Sequence, residues 1–338
     1  MGQEVSIALV DSFAEIDPAE WDDLVAATGA PVFYTSTYLR AYEREPMAPV
    51  EAVRYLVGRS AGRPVLLAPL YLYRHLDPLG RLRLVYPCES DEPGLLSHVW
   101  HCYDSQLVGP GSGAGSISAV VAAIRRAARQ LGARWCGFVN VEQGTPTHRA
   151  LAAAGLPTHH IEDRFAVDLT GVSDLDGYLA RIPGRYRRDL YRQARRAAEA
   201  GARAEVRAIA DIDIDEVAAL CRATADRFDN RGFYPEGRFE RFVELVGPLG
   251  HVVEVRQLGR LMGVFICLVD GDRLHTWTGG YDPAVDGNFS AYGLCFTASI
   301  ELALRLRRPV LEGGRRNPEY KRRHGLGIRH LDACLVPA

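Results

Sequence analysis

The sequence predicts an α+β protein of two tandem domains, each a mixed, mainly antiparallel sheet flanked by helices. Three observations carry this. The chain's 338 residues exceed the usual size of one hydrophobic core, so two domains of about 150 residues are the default. A hydrophobic fraction of 47% is ample for two such cores. One order of elements (strand, two helices, three antiparallel strands, helix, strand, helix, strand) also reads twice, over residues 1–160 and 161–338. No sequence identity accompanies the repeat, so it is one of architecture.

In the first half, residues 5–10 read as a strand. Asp17-Pro18-Ala19-Glu20 is a helix start, with Asp17 as N-cap and Pro18 at the first helical position. A second helix over 36–45 stops before Pro46. Residues 50–57 and 64–74 alternate and are β-rich, and Gly58 to Gly62 between them makes a hairpin. Residues 81–86 are expected to extend that sheet, and 87–103 to be loop. A glycine-rich run, Gln106-Leu-Val-Gly109-Pro-Gly111-Ser-Gly113-Ala-Gly115, precedes a helix over 117–131. A strand at 135–141, a short helix at 147–154 and a strand at 165–169 close the half.

The second half opens on a strongly basic helix over 175–200, interrupted near Pro183-Gly184. A strand at 204–209 and helices at 214–228 and 237–245 follow. Residues 252–257, 261–270 and 273–279 form a meander turning at Gly259 and Gly271-Asp272. A helix at 291–307, a strand at 309–313, a short helix at 318–324 and a strand at 328–335 complete it.

Composition excludes several classes. With 40 basic and 42 acidic residues the formal net charge is −2, which excludes a globally basic nucleic-acid binder but not a local basic patch. The seven cysteines are odd in number and contain no C-x-x-C pair, which fits reduced thiols and argues against a disulfide frame or structural zinc. The ten histidines include His98-x-x-His101 and His159-His160, without an H-E-x-x-H motif or a carboxylate at ligand spacing. No metal site is expected. No G-x-S-x-G elbow or P-loop occurs. The N-terminus carries no signal-like segment and no run approaches 18 apolar residues, so the expected location is cytoplasmic.

Two features stand above this background. Lys321 is the chain's only lysine; the other 39 basic residues are arginine. Arginine is a rigid, always-charged fork, whereas lysine is a compact ammonium that burial can tune. A lone lysine beside Glu319, His324 and several arginines points to a placed point charge or a tunable amine. The second feature is the basic helix. Arg185, Arg188, Arg192, Arg195 and Arg196 fall on one side at i, i+3, i+4 steps, with Arg187 nearby. Like charges at that spacing repel unless a polyanion neutralises them: RNA backbone, or the phosphates of a nucleotide-linked substrate.

Three segments resemble a known family. They are Arg185-Tyr-Arg-Arg-Asp-Leu-Tyr-Arg192; Gly279-Gly-Tyr-Asp-Pro283 followed by Ser290-Ala-Tyr-Gly-Leu294; and Glu312-Gly-Gly314 followed by Tyr320-Lys-Arg-Arg-His-Gly325. Together they are similar to the second domain of the Fem-type aminoacyltransferases, which are tandem proteins of the GNAT (Gcn5-related N-acetyltransferase) fold, and of their BioF2-like and peptidoglycan-biosynthesis relatives. The likeness covers 160–336 well and the first half weakly.

The resemblance implies an amide-forming transfer. Backbone amides near 277–281 and 311–314 would face the oxyanion. Glu312 would accept a proton or orient the amine, and its alternative is a strand-end carboxylate paired to Arg315 or Arg316. Lys321, Tyr281 and Tyr292 complete the expected catalytic group. Asp282, Arg315, Arg316, Asn317 and Tyr320 are expected to bind substrate. The donor implied is aminoacyl-tRNA as co-substrate, without a bound cofactor, and the acceptor an amine of a small molecule or cell-wall precursor, natural products included. Gln106, Gly109, Gly111 and Gly113 resemble the pyrophosphate loop of coenzyme A-dependent members. This leaves open an acyl-CoA or carrier-protein thioester donor. A non-catalytic recognition module is the third reading.

Overall fold

The computed structural model describes residues 5–97, 101–102, 104–109, 114–284 and 288–338. In chain order the elements are β1 (Ser6–Val10), α1 (Pro18–Thr28), α2 (Ser36–Arg44), β2 (Val50–Ser60), β3 (Arg63–Tyr73), β4 (Gly94–Ser97), α3 (Ala114–Gln130), β5 (Trp135–Glu142), α4 (Pro146–Ala153) and β6 (His159–Asp168). Next come α5 (Leu175–Ala180), α6 (Gly184–Glu199), β7 (Ala202–Ala208), α7 (Ile214–Arg227), α8 (Arg238–Leu245), β8 (Gly250–Gln257), β9 (Arg260–Val269), β10 (Arg273–Tyr281), α9 (Ala291–Arg305), β11 (Val310–Gly314), α10 (Pro318–Arg323) and β12 (Gly327–Pro337). The fold is α+β, with mostly antiparallel pairing, and the doubled element order is present.

The chain divides into two compact units: residues Met1–Arg164 with Arg329–Ala338, and Phe165–Ile328. The division differs from a single cut at residue 160, because the last ten residues group with the first unit. There, β12 pairs antiparallel with β5, Leu331 opposite Glu142 and Pro337 opposite Trp135. Its sheet runs β1-β2-β3-β4-β5-β12. Leu56, Leu70, Ile117, Ile124, Phe138 and Leu151 form the centre of its core. The start of α1 follows the sequence closely: Asp17 accepts from the amides of Ala19 and Glu20, Pro18 stands first, and Gly29 closes the helix at φ 61°.

In the second unit, residues 165–168 of β6 lie beside β11, followed by β10, β9, β8 and β7. Helix α9 is apolar nearly all round and buried from Ala291 to Ala303, as expected of a central helix. Its core partners include Phe165, Leu190, Val253, Phe265 and Leu311. Helix α7 is set down on the end of β10 where the strand has no side chain. A Cβ on Gly280 would stand 2.5 Å from the carbonyl oxygen of Leu220.

Three expectations are corrected. Residues 81–86 do not extend the sheet. They turn through a short 3₁₀ segment at Leu82–Leu84, because the Asp77 carboxylate accepts from the amides of Arg81 (2.7 Å) and Arg83 (2.9 Å). The expected loop 87–103 contains β4, which pairs antiparallel with β3 and parallel with β5. Strand β6 begins at His159, and its polar start, His-His-Ile-Glu-Asp, hides the strand pattern.

Gly280→Ala is expected to destabilise the fold by about 1–3 kcal/mol through forced overpacking. The midpoint of urea unfolding checks it, and an unchanged midpoint would count against the close approach of α7.

Candidate active site

The expected catalytic residues gather in the second unit, at the ends of β10 and β11 and on α9 and α10. Strand β11 lies parallel to β10, with Glu312 opposite His275, and antiparallel to β6, with Glu312 opposite Ala166. The register slips between Glu312 and Gly314, a bulge of the kind that re-aims side chains. Glu312 is buried, 3% exposed, and its carbonyl accepts from the Thr276 hydroxyl at 3.0 Å. Gly313 is where α10 meets the strand: a Cβ there would lie 2.5 Å from Leu326 Cδ2 and 3.5 Å from Lys321 Cε. With no side chain in the way, the stem of Lys321 packs against the backbone. The lysine is 4% exposed, with its ammonium 5.6 Å from the centre of the Phe165 ring, a cation–π contact. The lone lysine is therefore an internal group.

On the same short helix, Tyr320 and His324 stack at 4.0 Å. Tyr292 of α9 meets Tyr320 edge-on at 5.0 Å, and Tyr281 lies 6.0 Å beyond Tyr292. The His324 Nδ1 is 2.7 Å from the Tyr320 carbonyl, which makes Nδ1 the protonated nitrogen and Nε2 the acceptor. His324 Nε2 and the Tyr320 hydroxyl are both buried without a hydrogen-bond partner among the described residues. Burial is costly for such atoms, and a pair side by side marks a place where a polar ligand group fits. Burial lowers the His324 pKa, with its bond to the Tyr320 carbonyl opposing, so the imidazole is neutral near pH 7. Burial raises Tyr320 and Tyr292. Both phenols stay protonated, as hydrogen-bond donors. A hydrogen bond to Asn317 partly offsets the shift at Tyr292.

Helix α6 begins beside this cluster. The Tyr186 ring is 6.0 Å from His324, and it is flanked by Arg185 at 4.4 Å and Arg323 at 6.0 Å. Pro183 precedes the helix without a side-chain cap, and the first turn holds no acid, so the helix dipole and the arginines reinforce one positive end. Arg185, Arg188, Arg192 and Arg195 are exposed, and Arg187 and Arg196 half-buried. The expected row of mutually repelling charges is partly relieved within the chain. Asp189 holds Arg192, Glu199 lies 3.6 Å from Arg195, and the Asn288 carbonyl accepts from Arg196 at 3.2 Å. Arg187 and Arg188 have no ion pair among the described residues.

The residues expected to bind substrate differ in their surroundings. The Asp282 carboxylate pairs with Arg260 and accepts from the Ala284 amide at 2.8 Å, which makes it a turn former. Asn317 is exposed in a left-handed conformation, φ 61°, and does not cap α10 with its side chain. Arg316 is exposed and Arg315 half-buried, close enough to Tyr234 for its charge to act on that phenol.

In the glycine run expected to resemble a coenzyme A loop, the described amides over 106–108 have partners within the chain. The amides of Gln106, Leu107 and Val108 already donate to the Tyr34 hydroxyl (2.7 Å), the Thr147 hydroxyl (3.0 Å) and the Leu67 carbonyl (2.9 Å). Gly109, at φ 146°, is needed because a Cβ would stand 2.1 Å from the Val65 carbonyl oxygen. Gly111 and Gly113 lie outside the described residues.

Sequence reasoning left Tyr186 and His324 off the site, although both stand in the quoted motifs. It also missed a pair between β10 and the turn before it: the Nε2 of buried His275 lies 2.8 Å from Asp270. Burial opposes ionisation of Asp270, but His275 and Arg273 outweigh it and hold the carboxyl well below its usual range. Farther along β10, the Tyr234 hydroxyl bonds Thr278, and Tyr234 lines a cavity of about 270 Å³ with Arg222, Asp226, Asn230 and Glu236.

Residues 184–322 match the acetyltransferase (GNAT) domain family. Among solved structures the chain is similar to FemX, with a TM-score of 0.66 at 11% identity over 96% of each chain. It is also similar to the C-terminal domain of a putative lysylphosphatidylglycerol synthetase from Agrobacterium fabrum, with a TM-score of 0.60 at 17% identity over 96% of this chain and 92% of that one. A tandem GNAT protein from the clavulanic acid biosynthesis pathway gives a TM-score of 0.59 at 17% identity over 99% and 98%. No curated protein matches. Among the described residues, no helix is long and apolar enough to cross a membrane.

A histidine buried as the neutral form stabilises the fold above the ordinary imidazole pKa, about 6.5. That contribution is lost as pH falls through this value, because the unfolded chain then binds the proton first. The wild type is therefore expected to lose stability between about pH 7.5 and about pH 5.5, and His324→Asn to lose less. Urea midpoints at the two pH values check it.

Proposed function

The fold is that of the Fem-like tandem GNAT proteins, with a GNAT acetyltransferase domain over 184–322, and from that premise we propose that the protein is an aminoacyltransferase. It moves an aminoacyl group from aminoacyl-tRNA to an amine of a small-molecule or cell-wall-precursor acceptor. The observation that carries the reading is the junction of α6 with α10. An arginine-faced helix with an uncapped, acid-free start meets the buried Tyr320–His324 pair through Tyr186. A polyanion following the arginines is thereby delivered to the cluster of buried titratable groups. The occupied amides at 106–108 favour this donor over coenzyme A in the first unit.

In the transfer, the amine nitrogen bonds to the ester carbonyl carbon and the carbon–oxygen bond to the terminal ribose breaks. The amine gives up one proton and the ribose oxygen gains one. On this reading Glu312 takes the proton, the Tyr292 and Tyr320 hydroxyls donate to the developing oxyanion, and Lys321 supplies a positive charge that a water-poor site strengthens.

The test offers the purified protein mixed aminoacyl-tRNA or acyl-CoA, each with a panel of amines, and reads new amides by mass spectrometry. Amides from the tRNA arm are expected. Amides from the acyl-CoA arm alone would overturn the donor assignment. Glu312→Gln is expected to lower turnover about 10²–10⁴-fold, the range for loss of a general base. Arg185→Ala with Arg188→Ala is expected to weaken RNA binding and to flatten its salt dependence by about one unit of slope per lost phosphate contact, with turnover at saturating donor retained.

A further inference from the structure

We propose that His160, Asp163 and His330 of the first unit form a binding site for a divalent transition-metal ion of the zinc type. The inference is independent of the transfer reaction, and the residues lie outside the cluster described above. His160 Nε2 stands 3.4 Å from Asp163 Oδ1, and His330 Nδ1 stands 2.8 Å from the same oxygen. All three donor atoms lie within 4.8 Å of one another. An ion bonded at about 2.0–2.2 Å to each holds its donors about 3–3.5 Å apart, so the atoms are already near their places. Two imidazoles and one carboxylate suit zinc, cobalt or nickel rather than calcium or magnesium, which take oxygen ligands.

The surroundings are built for such an ion. The His160 ring turns its other nitrogen, Nδ1, toward Asp332 Oδ1 at 3.9 Å. Asp332 is buried, its side chain 6% exposed. It is held by Gln143 Nε2 at 2.8 Å and His148 Nε2 at 3.1 Å. At 3.9 Å the carboxylate is beyond hydrogen-bond reach of the ring and favours a bound cation through its charge alone. The His160 and His330 side chains are about half exposed, 49% and 53%, so an ion has a way in and water can complete its shell. Motif spacing hides this set, because His330 lies 167 positions from Asp163 and the strands β6 and β12 bring them together.

The untagged full chain, stripped with chelator, is titrated with Zn²⁺ and with Co²⁺ by calorimetry near neutral pH. One ion per chain is expected, with proton release as imidazole nitrogens are freed for the metal. A rise in melting temperature with zinc is also expected. His160→Ala and His330→Ala are expected to abolish both effects. His159→Ala is the control: its ring packs on Tyr86 at 5.0 Å, and its loss is expected to leave binding intact. Because the two ligating histidines are surface groups, their variants keep the fold, which the metal-free melting temperature verifies. The proposal is overturned if the wild type binds no ion, or if the His160→Ala, His330→Ala double variant binds with unchanged stoichiometry and affinity.

Discussion

The second unit depends on the bare backbone of Gly313. With no Cβ, the strand accepts the tip of Leu326 at a distance a side chain would forbid, and the stem of Lys321 lies within van der Waals reach of the same backbone. Helix α10 packs there on β11. The chain's only lysine is out of water, and Tyr320 and His324 lie against Tyr292 and Phe296. A methyl group at 313 would displace the end of the Leu326 side chain. The same device recurs at Gly280, where α7 lies against β10. Absent side chains thus set the positions of the helices that bear the chemistry.

Charge is handled differently inside and outside. On α6, local partners at Asp189, Glu199 and Asn288 satisfy Arg192, Arg195 and Arg196, which lets a strongly basic helix exist before any ligand arrives. Arg187 and Arg188 and the uncapped helix start provide the remaining positive field. Beneath them, burial keeps the phenols protonated and the imidazole neutral. Protonated phenols and a neutral imidazole therefore lie next to an arginine-rich helix, and screening by water is weakest where the titratable groups sit.

Much of this could be read from the residues. Asp17-Pro18, the alternating hairpin, the meander turns and the apolar run of α9 each carry a local signal, and each forms the element expected. The grouping of Glu312, Lys321, Tyr281, Tyr292 and Tyr320 into one unit follows from strand order. What escaped were features decided by distant partners. β4 has four residues and owes its place to β3 and β5. The polar start of β6 is stabilised by neighbours that no window contains. The contacts of Asp282 with Arg260 and Ala284, and the approach of Gly109 to the Val65 carbonyl, are likewise set by partners a local motif does not show. The His275–Asp270 pair joins a strand to the turn before it, where the pattern reads only as core.

The strand β12 belongs by position to the second half, yet it closes the sheet of the first by pairing with β5. Residues 165–168, the end of the first half's own last strand, meanwhile pair with β11 in the second. A ribosome making this chain delivers β5 nearly two hundred residues before its partner. The first unit therefore waits, with one sheet edge open, until the second has been synthesised. Its sheet gains this strand only after residues 327–337 have been made.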